Sequence, residues 1–297
     1  MKISYYLVGL LLAYNFSFCQ PMTERYKSFG EVIIANFPSA PFPHSQRENG
    51  HEYNGKKYPA DQNYNDNSVM IFFPNNFTPH EKNNFVVYVH GWYNNIDSAC
   101  AQFKLIEQFA DSKVNAIFVF PEGPKNAPDS FGGKLEDKDG LKNLLSDVTA
   151  YLISVKKISA EKIGEIILAG HSGAYRALAF SLMRGGLIEN ISDVILFDAL
   201  YAHTEKFAYW IDNYSGRFIN IYTEDGGTKN ESLNLIQDLD GWGKNFLHIE
   251  ETALQSNDLS ENKIIFIHTE LTHNEVISKR NQFQKFLSTS ALEKMKE

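Results

Sequence analysis

Hydrophobic residues along the chain fall into short continuous runs, separated by stretches in which they recur every three or four positions. Residues 84–90, 116–120, 165–169, 192–197, 217–222 and 263–267 are apolar runs rich in Val, Ile and Phe, the mark of strands buried on both faces. Residues 98–111, 140–156, 173–184, 203–213 and 274–287 carry helical spacing. In the second of these, Leu141, Leu144, Leu145, Val148 and Leu152 fall on one face. Buried strands that alternate with helices predict an α/β fold, a mostly parallel central sheet with helices on both faces. Residues 68–73 read as an earlier strand stopped by Pro74. A strand near Val32 is expected to pair with it antiparallel at one edge.

The start of the chain breaks this pattern. Residues 36–67 are rich in Pro, Asn, Gly, Tyr and His, a composition of loops and turns. Ahead of them, Lys2 precedes a Leu-rich apolar run over residues 5–14, and Ser17 and Cys19 are small residues ahead of Gln20. This predicts an export leader cleaved before Gln20. The run is shorter than the roughly 20 residues of a membrane span, so stable membrane insertion is not expected. Secretion or periplasmic release is the first reading, and a lipid anchor through Cys19 the alternative. The organisation is thus a leader over 1–19, a loop-rich segment over 20–67 and the α/β domain over 68–297.

Composition narrows the partners. The 297 residues are 43% hydrophobic and 22% charged, with a net charge of -8, ordinary for a folded domain and adverse to a nucleic-acid partner, which calls for a basic face. Cys100 is the only cysteine after the leader. It sits in an amphipathic segment and reads as a small buried hydrophobe. No thiolate metal site and no internal disulfide are expected, and no metal-ligand spacing or nucleotide-binding glycine motif is visible.

In an open parallel sheet, ligands bind beyond the carboxyl ends of the strands. At the end of one such run stands Gly170-His171-Ser172-Gly173-Ala174, with a helix following. A nucleophile there needs a strained turn, which small flanking residues permit. The segment resembles the G-x-S-x-G nucleophile elbow of the α/β-hydrolases, with Ala174 in place of the last glycine. His90-Gly91-Trp92-Tyr93, at the end of another run, resembles the family's oxyanion segment. The resemblance implies Ser172 as nucleophile and the backbone N–H groups of Trp92 and Gly173 as oxyanion donors. His90 reads as a structural histidine that bonds loop backbone.

The family order is Ser, then acid, then His. It implies His273, in the loop after the last strand, as the base; His268 and His248 are the alternatives. For the acid, Asp198 closes an apolar run within Phe197-Asp198-Ala199, which is similar to the L-D-P-A of pancreatic-type lipases. Asp225 is the alternative, with Glu224 behind it in the same turn. Arg176, one turn past Ser172, is expected to bind either an anionic substrate group or a neighbouring carboxylate. The loop beyond Pro121 is expected to wall or lid the site. The tyrosines and prolines of residues 38–64 are candidates to drape over its mouth. The whole predicts an exported serine hydrolase that cleaves a carboxylic ester, of a carbohydrate or a small acyl group, without cofactor or metal. An amidase or peptidase on the same residues, or a silent binding protein of the same fold, is the alternative. Its partner would be a small molecule, glycan or peptide; the oligomeric state has no signal.

Overall fold

A computed structural model describes residues 20–296. The leader-like segment, with Cys19, lies outside the described residues. Nine strands form one sheet in the order β1-β4-β6-β5-β7-β8-β9-β11-β10. They are β1 (Gly30–Asn36), β4 (Ser68–Pro74), β5 (Asn83–Val89), β6 (Ile117–Pro121), β7 (Ile163–His171), β8 (Ile191–Phe197), β9 (Arg217–Thr223), β10 (Leu247–Glu250) and β11 (Ile264–Thr269). Only β4 runs against its neighbours, paired antiparallel to β1 and β6, and all other pairs are parallel. A separate hairpin joins β2 (His51–Tyr53) to β3 (Lys56–Tyr58). Its turn is Asn54-Gly55, with positive φ at both residues, the two-residue geometry that matches strand twist.

The helices are α1 (Met22–Arg25), α2 (Ala60–Asn63), α3 (Ile96–Phe103), α4 (Leu105–Asp111), α5 (Gly140–Ser154), α6 (Tyr175–Arg184), α7 (Thr204–Asn213), α8 (Lys229–Gly241), α9 (Ser256–Glu261) and α10 (Gln282–Ser288). Side chains of α5 to α8 fill the core on one face of the sheet. Those of α3, α4, α9 and α10 fill it on the other. Among the described residues no helix is long and apolar enough to cross a membrane. The strand order reverses between β5 and β7: β6 lies on one side of β5 and β7 on the other. A crevice opens at such a switch point, and the loops that follow β5 and β7 carry Trp92 and Ser172.

Two of the predicted helices depart from the expectation. The helix over 98–111 is two helices, broken at Lys104, which takes a left-handed conformation at φ 51°. The break buries Leu105 together with Phe103 and Ile106, which a straight helix cannot place on one face. Gln108 Nε2 donates to the Phe103 carbonyl freed there. The last helix covers only Gln282–Ser288 instead of 274–287; residues 274–281 form turns that end in left-handed Asn281. Arg280 and Gln282 both bond Glu251, which fixes that path. The strand expected near Val32 is β1, paired antiparallel with β4 at the sheet edge, so part of residues 20–67 belongs to the main sheet.

Beneath α9 and α10, buried Arg217 donates to Asp193 at 2.5 Å and to the carbonyls of Leu259, Phe286 and Thr289. Arg217→Ala leaves a buried carboxylate unpaired, and urea unfolding should show a loss of about 3–5 kcal/mol. A loss below about 1 kcal/mol, the range of an exposed pair, would contradict this role.

Candidate active site

Each site residue sits where a strand ends. β7 stops at His171, and Ser172 turns the chain into a short 3-10 segment that leads into α6. Ser172 has φ 56°, a left-handed conformation that costs a non-glycine residue about 1–3 kcal/mol. The turn is tight enough that a Cβ on Gly170 would fall 2.6 Å from Ala174 Cβ, and one on Gly91 2.6 Å from Ser172 Cβ. Gly170 and Ala174 are therefore matched: with no side chain on one, a methyl fits on the other. The Gly91 site also lies 3.1 Å from the Gly173 nitrogen, and a Cβ on Gly173 would meet the Trp92 ring at 2.6 Å. The backbone around Gly91 and Trp92 thus abuts the residue after Ser172. Ser172 opens into a cavity of about 200 Å³ lined by Trp92, Ser130, Gly173, Tyr175 and Tyr201.

Asp198 follows β8 in a left-handed conformation at φ 46° and is 0% exposed. Its Oδ2 accepts from His273 Nδ1 at 2.6 Å and from Thr223 Oγ1 at 2.8 Å. Its Oδ1 accepts from the Thr223 amide at 3.2 Å and from the Thr228 hydroxyl. Burial alone would raise the carboxyl's pKa. The bonds from His273, Thr228 and Thr223 outweigh it and hold the pKa below the ordinary 3.8. A Cβ on Gly226 would fall 1.8 Å from Asp198 Oδ2, so the loop after β9 closes over the carboxylate only with glycine there.

His273 is tethered a second time. The buried His171 ring, centred 4.5 Å from that of His273, donates through Nε2 to the His273 carbonyl at 2.9 Å. Burial, and then the neighbouring His273, push the His171 pKa down to about 3. His171 is therefore neutral and keeps a proton for that bond. Ser172 and Tyr201 line the same cavity, and the Tyr201 phenol donates its proton to the Gly226 carbonyl.

Ser172, Gly173 and Trp92 thus share one cavity, and the Asp198–His273 pair adjoins it through His171, which bonds the His273 carbonyl, and Tyr201, whose ring is centred 6.4 Å from that of His273. The alternatives stand apart. Asp225 is exposed. Glu224 pairs with Lys229 and His268, His268 lies between Glu224 and Glu250, and His248 bonds the Tyr222 hydroxyl. Arg176 is held in a two-point pair by buried Glu136 at 2.7 and 2.9 Å. Cys100 is buried against Met70. His90 bonds the Gly91 carbonyl and Glu122. Among the described residues no group of three or more His, Cys, Asp or Glu is placed to hold a metal ion. Sequence reasoning did not single out the Thr223, Gly226 and Thr228 cradle, Tyr201 or Ser130. The spacing of Tyr201, three residues past Asp198, was the one available hint.

No protein-family model and no curated protein matches the chain. Solved structures do match along most of its length. A ferulic acid esterase superposes with a TM-score of 0.52 at 13% identity, over 88% of this chain and 98% of its own. A serine-to-alanine variant of the feruloyl esterase module from Clostridium thermocellum, complexed with sinapinate, gives 0.54 at 12% identity over 88% of each chain. FphF of Staphylococcus aureus, a fluorophosphonate-binding serine hydrolase, gives 0.51 at 9% identity over 87% and 97%. The sheet order, the switch point and these likenesses define the architecture: the chain has the α/β-hydrolase fold.

The lowered Asp198 pKa sets a pH dependence. The unfolded carboxyl titrates near 3.8 and the folded one lower. Its stabilisation is therefore complete above about pH 4 and is lost as pH falls through the folded value. Urea midpoints of wild type and Asp198→Asn should differ by a constant amount near neutrality and converge in acid. A gap that stays constant well below the carboxylate range would contradict this account of the carboxylate.

Proposed function

We propose that the protein is a serine ester hydrolase with Ser172 as nucleophile, His273 as general base and Asp198 as the acid that orients it. One observation carries the reading: His273 is bonded at 2.6 Å to a fully buried carboxylate, beside a serine in left-handed conformation at a strand end. Asp198 fixes the tautomer with the proton on Nδ1, which leaves Nε2 to accept one. Ser172 gives up its proton to His273 and attacks the ester carbonyl. The Trp92 and Gly173 amides hold the oxyanion that forms. The imidazolium then protonates the leaving alcohol, and water releases the acid by the same steps in reverse.

The acyl pocket favours a small group. A cavity of 150 Å³ accepts a benzene ring, and this one is about 200 Å³. That volume accommodates a short or single-ring acyl group. The structural neighbours described as feruloyl esterases and as a fluorophosphonate-binding serine hydrolase support ester chemistry. The leader-like pattern of residues 1–19 supports export, with the mature chain from Gln20 acting outside the cytoplasm.

A fluorophosphonate probe should label the wild type and not Ser172→Ala. Label that persists in the variant overturns the nucleophile, and a wild type that takes no label favours a silent binding protein. On p-nitrophenyl esters, kcat/KM should fall from acetyl to octanoyl, and anilides of the same acids should react far more slowly. Asp198→Asn should lower kcat by about three to four orders of magnitude, and Asp225→Asn by less than about twofold. The opposite ranking would move the acid to the later loop.

A further inference from the structure

The catalytic pocket does not end at Trp92. Its indole is 38% exposed, and Tyr93 beside it is 56% exposed. Both are held in place. Trp92 Nε1 donates to Ser130 Oγ at 2.8 Å, and the ring meets Tyr53 of the β2–β3 hairpin edge-on at 5.1 Å. The Tyr93 amide donates to the Ala127 carbonyl at 3.0 Å, and its ring lies 6.4 Å, centre to centre, from that of Tyr58 in the same hairpin. The result is a row of aromatic rings in which Trp92, a wall of the Ser172 pocket, stands between Tyr53 and Tyr93, each edge-on to it.

The rim of this row is polar. Asn95 donates to the exposed Asn126 side chain at 2.7 Å, and the neighbouring hairpin turn is Asn54-Gly55-Lys56. Among the described residues the exposed large aliphatics, Ile34, Val155, Met183 and Leu233, lie on other elements. A long acyl chain in an aliphatic groove would want such residues beside the row. Flat aromatic faces ringed by amides and hydroxyls suit a flat ligand with an apolar C–H face and a hydroxylated edge, which describes a pyranose sugar. Rigid aromatic anchors also cost little ordering entropy on binding.

We infer that the row of Tyr53, Trp92 and Tyr93 is a subsite for a sugar ring, which would be the alcohol part of the ester. This rests on the proposed hydrolase reading, in which the acyl group fills the small pocket and the alcohol must lie outside it. The shared residue is Trp92, which walls the acyl pocket and belongs to the row.

Two esters of one acid test it, a 6-O-acyl glucopyranoside and the ethyl ester. Tyr93→Ala should raise KM for the glycosyl ester about tenfold, the effect of losing one stacked ring, with kcat unchanged. Its parameters for the ethyl ester should stay within about twofold, and Tyr93→Phe should keep the wild-type KM within about threefold if stacking is the contact. An equal rise for both esters, or no rise for either, overturns the subsite. Binding of a β-glucoside oligomer to Ser172→Ala, followed by tryptophan emission, separates this from the hydrolase reading. If the oligomer binds, Tyr93→Ala abolishes the binding and neither ester is cleaved, the hydrolase reading fails and the subsite stands. If esters are cleaved without preference and no oligomer binds, the subsite fails alone.

Discussion

A carboxylate cut off from water must be solvated by the protein alone, and Asp198 is in that position. The effective cost of burying such a charge is several kcal/mol, so ionisation persists only where donors replace the lost water. Four do so: the Thr223 amide and hydroxyl, the Thr228 hydroxyl and His273 Nδ1. Three come from the end of β9 and the loop after it, and one from the loop after β11. They can converge only because residue 226 is glycine, since a Cβ there would sit 1.8 Å from Oδ2. The need to satisfy one buried charge therefore sets the path of one loop and anchors the histidine of another.

The serine side obeys the same rule of close approach. Left-handed Ser172 is disfavoured by its own Cβ, so the packing around it must hold it there. Gly91 and Gly170 let the backbones of β5 and β7 and the start of α6 crowd onto the turn. His171, next along the chain, bonds the carbonyl of His273 while Asp198 bonds its ring. His273 is thus held at two points, one from the strand that leads to Ser172 and one from Asp198. With its backbone and its ring each tied, His273 has little freedom to reorient, which is what preorganisation of a proton acceptor requires.

Legibility in the sequence followed how local each constraint is. The buried strands were readable because every residue of a run must be apolar. The elbow was readable because its strain demands small residues within five positions. The break at Lys104 and the turns over 274–281 were not readable: Phe103, Ile106 and Phe109 keep a helical spacing across the break, as Val276 does in the later segment, and only packing against the sheet selects another path. The α8 helix escaped because, among its buried residues, only Leu235 and Leu239 are large and apolar, too few for a stripe. The Asn54-Gly55 turn was a usable hairpin signal, but its three-residue strands are largely polar and lack alternation. The Asp198 cradle was hidden for another reason. Thr223, Gly226 and Thr228 have the composition of any solvated turn, and become a binding site only when a buried carboxylate from another strand meets them.

The segment ahead of the sheet shows why a boundary at residue 67 divides what packing joins. Arg47 grips Asp129 at 2.6 and 3.1 Å, and Phe42, Tyr58 and Tyr64 form a small core with Ala127 and Phe131. On its far side the same loop offers Glu136 to Arg176 of α6, the helix that begins just past Ser172. Phe131 lies between the two guanidinium groups, 4.7 Å from Arg47 and 5.4 Å from Arg176. A long loop without regular structure is ordinarily free to move. This one is held on one face by the N-terminal segment and on the other by the elbow helix. Ser130, at its middle, can therefore keep a fixed distance to the Trp92 indole. The wall of the pocket is thus only as firm as the attachment of residues 38–64. Loops that resemble a linker in composition are here part of the site's support.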